Sequence, residues 1–211
     1  MALPNKSYND LQNLQNMQSK NYYVFVFDFD MTLTLQSSDG MDKEACYTQY
    51  IKLFESDQKL FRLKEYFEQI VYMGFPIYIN TRALSSDIIH IMEKVGINIG
   101  KPMLIKDVMG SNTTEQINIP FSDAEKSFYN ITSIDNPDIL WAIKKVIYLN
   151  KIREIENTNY NNILFFDDSE ININMAKLNG YVNSFIIGAN DSGLYGLDYL
   201  LIKLNQILDL I

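Results

Sequence analysis

Cysteine, histidine and tryptophan are nearly absent from this chain of 211 residues, which has one of each. The single cysteine, Cys46, excludes an internal disulfide and suits a reducing compartment. The single histidine, His90, excludes a histidine-rich metal centre and any phosphatase centre that needs two histidines; its place on a helical segment reads as structural. Positive charge is also scarce: 18 Lys and Arg stand against 26 Asp and Glu, a net charge of −8. That balance argues against a nucleic-acid backbone or an anionic membrane as the main partner. No apolar run reaches the ~18 residues of a membrane span, and the opening MALPNKSYNDLQNLQ lacks the apolar stretch of a secretory signal. The expectation is a soluble protein, cytoplasmic or nuclear. A P-loop is excluded, because no GxxxxGK[ST] occurs.

Hydrophobic residues make up 47% of the chain and aromatics 13%, enough to bury one sizeable core. The expectation is a single domain over 1–211, with an N-terminal helical extension at 1–20 and small insertions at 35–57 and 109–135. Apolar strand candidates near 22–27, 76–80, 103–107, 163–166 and 184–188 alternate with helix-period segments, which predicts an α/β fold with a mainly parallel sheet. The segment 58–73 places Leu60, Leu63, Phe67 and Val71 on one helical face and ends at Gly74 and Pro76. SSDIIHIMEKVGI opens on Ser85 and Ser86 as cap signals. From Asn136 to Glu156, the residues Ile139, Ala142, Val146, Leu149 and Ile152 form the stripe of a long amphipathic helix. The final segment, from Gly193, reads as a closing helix. Residues 35–57 read as a loop followed by a short helix near 44–54, and 109–135 as an ordered, polar surface loop.

Chemistry concentrates where two apolar strands end in acids. In VFVFDFDMTLT, residues 24–34, Asp28 and Asp30 are spaced i, i+2, so both can face the carboxyl edge of a sheet. In ILFFDDSEINI, residues 163–173, Asp167 and Asp168 end a second apolar run, with Asn172 four residues on. A lone aspartate after a strand is usually a turn residue. Two acid pairs crowded at one sheet edge repel each other unless a cation or a shared proton intervenes.

With these two acidic strand ends in this order, the chain resembles the haloacid dehalogenase (HAD) superfamily of phosphohydrolases, which has four short motifs. Its first motif, Asp-x-Asp-x-Thr, is matched by Asp28, Asp30 and Thr32. Its second, a Ser or Thr closing another strand, is matched by Thr81, with Asn80 the alternative if the strand ends a residue earlier. Its third, a lysine, is matched by Lys145, with Lys144 and Lys151 as competitors. Its fourth is matched by Asp168 and Asn172, with Asp167 where the family often has Gly. Within the superfamily the chain is most similar to the capless or small-cap magnesium-dependent phosphatases, whose second motif reads Ser-Arg-Thr where Thr81, Arg82 and Ala83 stand here. The resemblance implies a HAD-like Rossmannoid three-layer α/β/α sandwich without a large cap.

By the same resemblance, Asp28 is the nucleophile, giving an aspartyl-phosphate, and Asp30 the general acid and base. Thr81 would bind a phosphoryl oxygen, and Lys145 would offset the crowded charge. Mg²⁺ would be held by the Asp28 carboxylate, the Asp30 carbonyl and the Asp168 carboxylate, with Asp167 and Asn172 holding its waters. Thr32 would shape the loop after Asp30 through its hydroxyl, and Thr32 and Arg82 would contact substrate, although Arg82 fits a surface salt bridge equally well. The expected partner is a small phosphorylated metabolite or a phosphoprotein; oligomeric state is left open. Two alternatives stand beside phosphomonoester hydrolysis: phosphoryl transfer to an acceptor other than water, and a non-catalytic binding or scaffold protein that retains the fold. A response-regulator receiver uses similar residues, but there the acid pair precedes the phosphorylated aspartate and the lysine comes last, an order this chain does not follow.

Overall fold

In the computed structural model five parallel strands form one sheet in the order β3-β2-β1-β4-β5, with helices on both faces. The structure describes residues 22–38, 41–42, 44–100, 104–111, 121–187 and 196–211; the expected extension at 1–20 lies outside them. The strands are β1 (Val24–Phe27), β2 (Ile77–Leu84), β3 (Asp107–Ser111), β4 (Ile163–Asp167) and β5 (Ser184–Ile186). The helices are α1 (Tyr47–Leu53), α2 (Asp57–Tyr72), α3 (Ser85–Lys94), α4 (Asp123–Phe128), α5 (Pro137–Ile155), α6 (Glu170–Leu178) and α7 (Gly196–Leu208), with 3-10 turns at Ile131–Ser133 and Tyr160–Asn162. No described helix is long and apolar enough to cross a membrane.

The central strands are apolar without interruption because both of their faces are covered. Along β1, Phe25 and Phe27 join the core under α1, α2, α3 and α7, whereas Val24 and Val26 join the core under α5 and α6. On α2, Leu60, Leu63, Phe67 and Ile70 are buried, each worth about 1.5–3 kcal/mol by removal from water. Ile70, rather than Val71, completes the buried stripe. Ser56 caps this helix by accepting from the Lys59 amide at 3.3 Å, and Gly74, at φ 86°, supplies the left-handed turn that ends it.

Topology places the acidic edge. The chain runs outward through β2 and β3 on one side of β1, then returns to lay β4 and β5 on the other. The gap beyond the carboxyl ends of β1 and β4 is therefore the switch point where open α/β sheets bind ligands. The register pairs Phe27 with Phe166, so the next residues, Asp28 and Asp167, emerge side by side.

Several boundaries differ from the sequence reading. The third strand is Asp107–Ser111, not 103–107, because Ile105 is used in a bridge to Ile99 before the strand begins. With β3 displaced toward its C-terminus, β2 keeps pairing past Thr81 to Leu84, with a register shift between Asn80 and Leu84. Ser85 and Ser86 do not cap α3: its N-cap is Leu84, and the Ser85 hydroxyl donates to the Ser111 carbonyl at 3.3 Å. The polar stretch 109–135 holds the end of β3, α4 and a 3-10 turn, with 112–120 outside the described residues. Its helix is set by a capping box in which Ser122 Oγ accepts from the Glu125 amide and Glu125 accepts from the Ser122 amide. Helix α5 is not amphipathic but buried nearly all round, from Trp141 to Leu149 without a break, because Phe121, Tyr129, Ile131 and Ile134, beside α4 and in or next to the 3-10 turn, pack on Ile143 and Ile147.

Candidate active site

Asp28 leaves the sheet directly after β1, with its amide still donating to Phe166 O at 2.8 Å. Asp167 is the last residue of β4. Carboxylate oxygens of Asp28, Asp167 and Asp168 lie within 4.8 Å of one another, the one such metal-competent group among the described residues. Lys145, midway along α5, projects between two of them, with Nζ 2.7 Å from Asp28 Oδ1 and 2.5 Å from Asp167 Oδ2. Its side chain is 2% exposed. A buried ammonium of this kind survives only when its desolvation is offset by close carboxylates. Burial pulls Lys145 down, but Asp167 and Asp28 more than offset it and raise it above the usual lysine value, so it stays protonated.

Of the three lysines on this helix, Lys145 alone reaches the acids. Lys144 sits 3.6 Å from Glu125 and against the rings of Phe121 and Tyr148, and Lys151 lies over Tyr148.

Asp167 belongs to the acidic group, yet both of its oxygens are engaged. Oδ2 holds Lys145, and Oδ1 accepts from the Ser169 amide and from Asn172 Nδ2, each at 2.9 Å. Because a carboxylate only accepts, Asn172 must turn its NH₂ toward Asp167 and its carbonyl away. That carbonyl oxygen, buried on a residue lining the cavity, has no partner among the described residues, the signature of an acceptor awaiting a ligand.

Asp28 pays for this crowding: burial first, then the charges of Asp167 and Asp168, push its carboxyl well above the usual range, with Lys145 opposing them. Asp168 is raised by burial and by Asp167. A hard cation among these oxygens would reverse both shifts. The donor set fits Mg²⁺, since it consists of oxygen atoms and the carboxylates are few.

A cavity of about 410 Å³ opens over this group. It brings together Asp28, Asp30, Thr81, Arg82, Lys145, Asp168 and Asn172 of the residues singled out from sequence. Asp30 Oδ1 accepts from the Ser38 amide at 2.6 Å, which ties it to the loop that follows. Thr81, not Asn80, faces the cavity. Asn80 is buried, with its amide donating to the Lys145 carbonyl at 3.0 Å, so it positions the lysine's backbone. Thr81 Oγ1 accepts from the Ala83 amide at 3.1 Å, which leaves its hydroxyl proton to donate. Arg82 pairs with Asp138 at 2.9 Å on the rim.

Thr32 and Asp167 do not line the cavity. Thr32 is fully buried, and its hydroxyl has no partner among the described residues. The loop-shaping expected of it falls to Thr34, whose Oγ1 accepts from the Met31 amide at 3.2 Å and donates to the Gln36 carbonyl at 2.7 Å. Met31, Asp138, Trp141 and Ile171 also line the cavity and were not singled out from sequence. Met31 and Ile171 each adjoin a motif residue, and that adjacency was the available signal.

No family model matches the chain, and no curated protein matches it in sequence. Among solved structures it is similar to the N-terminal part of the protein BF1531 from Bacteroides fragilis, described as containing a phosphatase domain complexed with Mg, with 12% identity and a TM-score of 0.49. The match covers 92% of this chain and 43% of the other, so the chain spans less than half the length of that structure.

Proposed function

We propose that the protein is a Mg²⁺-dependent phosphohydrolase of the HAD type, acting on a phosphomonoester through an aspartyl-phosphate on Asp28. The observation that carries this reading is Lys145, buried between the carboxylates of Asp28 and Asp167 at the switch point of the sheet, with Asp30, Thr81, Asp168 and Asn172 around one cavity. A structural ion pair does not need two further acids and an orphaned amide oxygen beside it.

Asp28, Asp168 and the free Asn172 carbonyl would hold the cation directly or through its waters. When bound, Mg²⁺ supplies the charge that lets a phosphate dianion approach a carboxylate. The chain's own residues do the rest. Asp28 Oδ attacks phosphorus in line with the leaving oxygen, and a P–O bond to Asp28 forms as the ester P–O bond breaks. Thr81 donates to an equatorial phosphoryl oxygen, and Lys145 balances the negative charge gathering on Asp28 and the phosphoryl group. Asp30, held by the Ser38 amide, gives a proton to the departing alkoxide and then takes one from the water that attacks the acyl-phosphate. Release of inorganic phosphate restores Asp28.

The test is turnover of a phosphomonoester panel in Mg²⁺ and in EDTA, with thermal melts in beryllium fluoride. Expected results are Mg²⁺-dependent hydrolysis, its loss in Asp28→Asn, and a fluoride-induced rise in melting temperature that needs both Mg²⁺ and Asp28. Activity of Asp28→Asn within tenfold of wild type overturns the nucleophile assignment, and a fluoride shift of equal size without Mg²⁺ or in Asp28→Asn moves the scaffold reading ahead.

A further inference from the structure

Met31 carries two costs, one in its backbone and one in its side chain. Its backbone sits at φ 60°, in the left-handed region that Gly or Asn adopts with less strain. The turn enforces this conformation, since the Met31 amide donates to Thr34 Oγ1 and the amides of Leu33 and Thr34 converge on the Phe29 carbonyl at 2.9 and 3.1 Å. Despite the strain the position holds a long apolar side chain, 44% exposed on the cavity wall beside Asp30. Ile171, the residue before Asn172 in the first turn of α6, also lines the cavity and is 41% exposed. Trp141 contributes a third apolar side chain to the same wall. Strained backbone and uncovered apolar groups beside reactive carboxylates mark a surface made for a ligand. At about 410 Å³ the cavity falls within the range of small-molecule sites, larger than a phosphoryl group and its metal require.

We propose that Met31 and Ile171 are specificity-determining residues that select phosphomonoesters with an apolar leaving group. The inference rests on the phosphohydrolase reading above and deepens it. Phosphorus is fixed by Asp28, Thr81 and Lys145, so the ester oxygen points toward Asp30, and the group beyond it meets the side chains flanking Asp30 and Asn172. An unbranched thioether adapts to the shape of an apolar group, whereas a polyhydroxylated group would set the hydroxyls that face Met31 and Ile171 against side chains that return no hydrogen bond.

The experiment compares benzyl phosphate with 2-hydroxyethyl phosphate in Mg²⁺. Both esters leave as primary alkoxides of similar basicity, so the ratio of their kcat/KM values reports contact with the leaving group. Wild type is expected to favour the benzyl ester by about tenfold, the scale of an apolar contact in a specificity pocket. Met31→Asn, which suits the left-handed backbone but removes the apolar arm, should lower that ratio to about threefold or less, mainly through KM. Met31→Leu should restore it, and Ile171→Ser should lower it independently of any folding defect at position 31. A wild-type ratio near one, or an unchanged ratio in both Met31→Asn and Ile171→Ser, overturns the proposal while leaving the phosphohydrolase reading intact. Turnover of neither ester overturns the proposal, and only failure across the whole phosphomonoester panel overturns the phosphohydrolase reading with it.

Discussion

Replacing Lys145 with methionine is the sharpest probe of the buried charge cluster. Methionine retains the length and most of the packing of the stem, so the loss reports the ammonium. Asp167 would keep the Ser169 amide and the Asn172 amide, but Asp28 would lose the group that opposes its desolvation. Without a metal, Asp28 then takes a proton. Neutralising an ordinary carboxyl at pH 7 costs about 4 kcal/mol, from roughly three pH units at 1.36 kcal/mol each. That figure caps the Asp28 contribution and agrees with the ~3–5 kcal/mol typical of breaking a buried ion pair. Urea denaturation of Lys145→Met in EDTA should therefore show a loss of about 3–4 kcal/mol at pH 7.

The pH dependence has a definite sign. A carboxyl raised above its unfolded value binds more protons in the native state, so its penalty grows with pH above ~4 and shrinks as pH falls. Between pH 7 and pH 5 the variant should regain up to about 3 kcal/mol, and wild type less, because Lys145 opposes the rise. Adding Asp28→Asn should recover about 2 kcal/mol of the loss at pH 7, since the carboxylate the lysine answers is then gone. A loss under about 1 kcal/mol that is flat in pH, or a double variant additive within ~0.5 kcal/mol, would refute the reasoning.

Other perturbations separate the remaining parts. Asp30→Asn should cost more turnover on an alkyl phosphate than on an aryl phosphate, while Asp168→Asn should instead raise the Mg²⁺ concentration needed for half-maximal rate; equal shifts in both variants contradict that division. Gly196 has φ 47°, and a Cβ there would lie 3.1 Å from the Met31 carbonyl and 3.3 Å from that of Thr34. Gly196→Ala should cost about 1–2 kcal/mol in a thermal melt and lower kcat by shifting the turn that carries Asp30; unchanged kcat would free that turn from α7. At the opposite end of the sheet, burial raises Glu156, but bonds from Lys106, Tyr22 and Tyr78 outweigh it and hold the carboxyl below its usual value. A depressed carboxyl stabilises above its unfolded pKa, so Glu156→Gln should lower stability by about 1–3 kcal/mol at pH 7. The gap to wild type should close as pH falls below ~4.3, and a gap that persists into acid would mean the charge is not what matters.

The sheet and its acidic edge were legible in the sequence because both depend on local signals. Uninterrupted apolar runs at Val24–Phe27 and Ile163–Phe166, each ending in acid, leave few folds other than a buried parallel sheet with carboxylates at its edge. What lay beyond local reading was which polar groups the tertiary packing buries. Helix α5 shows why. Its stripe of Ala142, Val146 and Leu149 predicts one buried face, but residues around α4 and the 3-10 turn cover another, so Lys144 is buried as well as Lys145. Their fates differ by one residue of helical phase. Lys145 stands three residues after Ala142 and four before Leu149, on the face toward the sheet, where only carboxylates can keep a cation charged; Lys144 is rotated away toward Glu125 and two aromatic rings. Phase along the stripe could thus have chosen between them. The choice between Asn80 and Thr81 had no such signal, because it depends on a register shift against β3, a strand whose own start is displaced by the bridge from Ile99 to Ile105. Thr32 and Thr34 carry the same lesson at shorter range: spacing gives both hydroxyls the same side of an extended chain, but the turn at Met31 breaks that alternation and hands the backbone to Thr34. The acidic strand ends follow from residue type and order, whereas the placing of one neighbour over another follows from how far each strand and turn departs from ideal geometry.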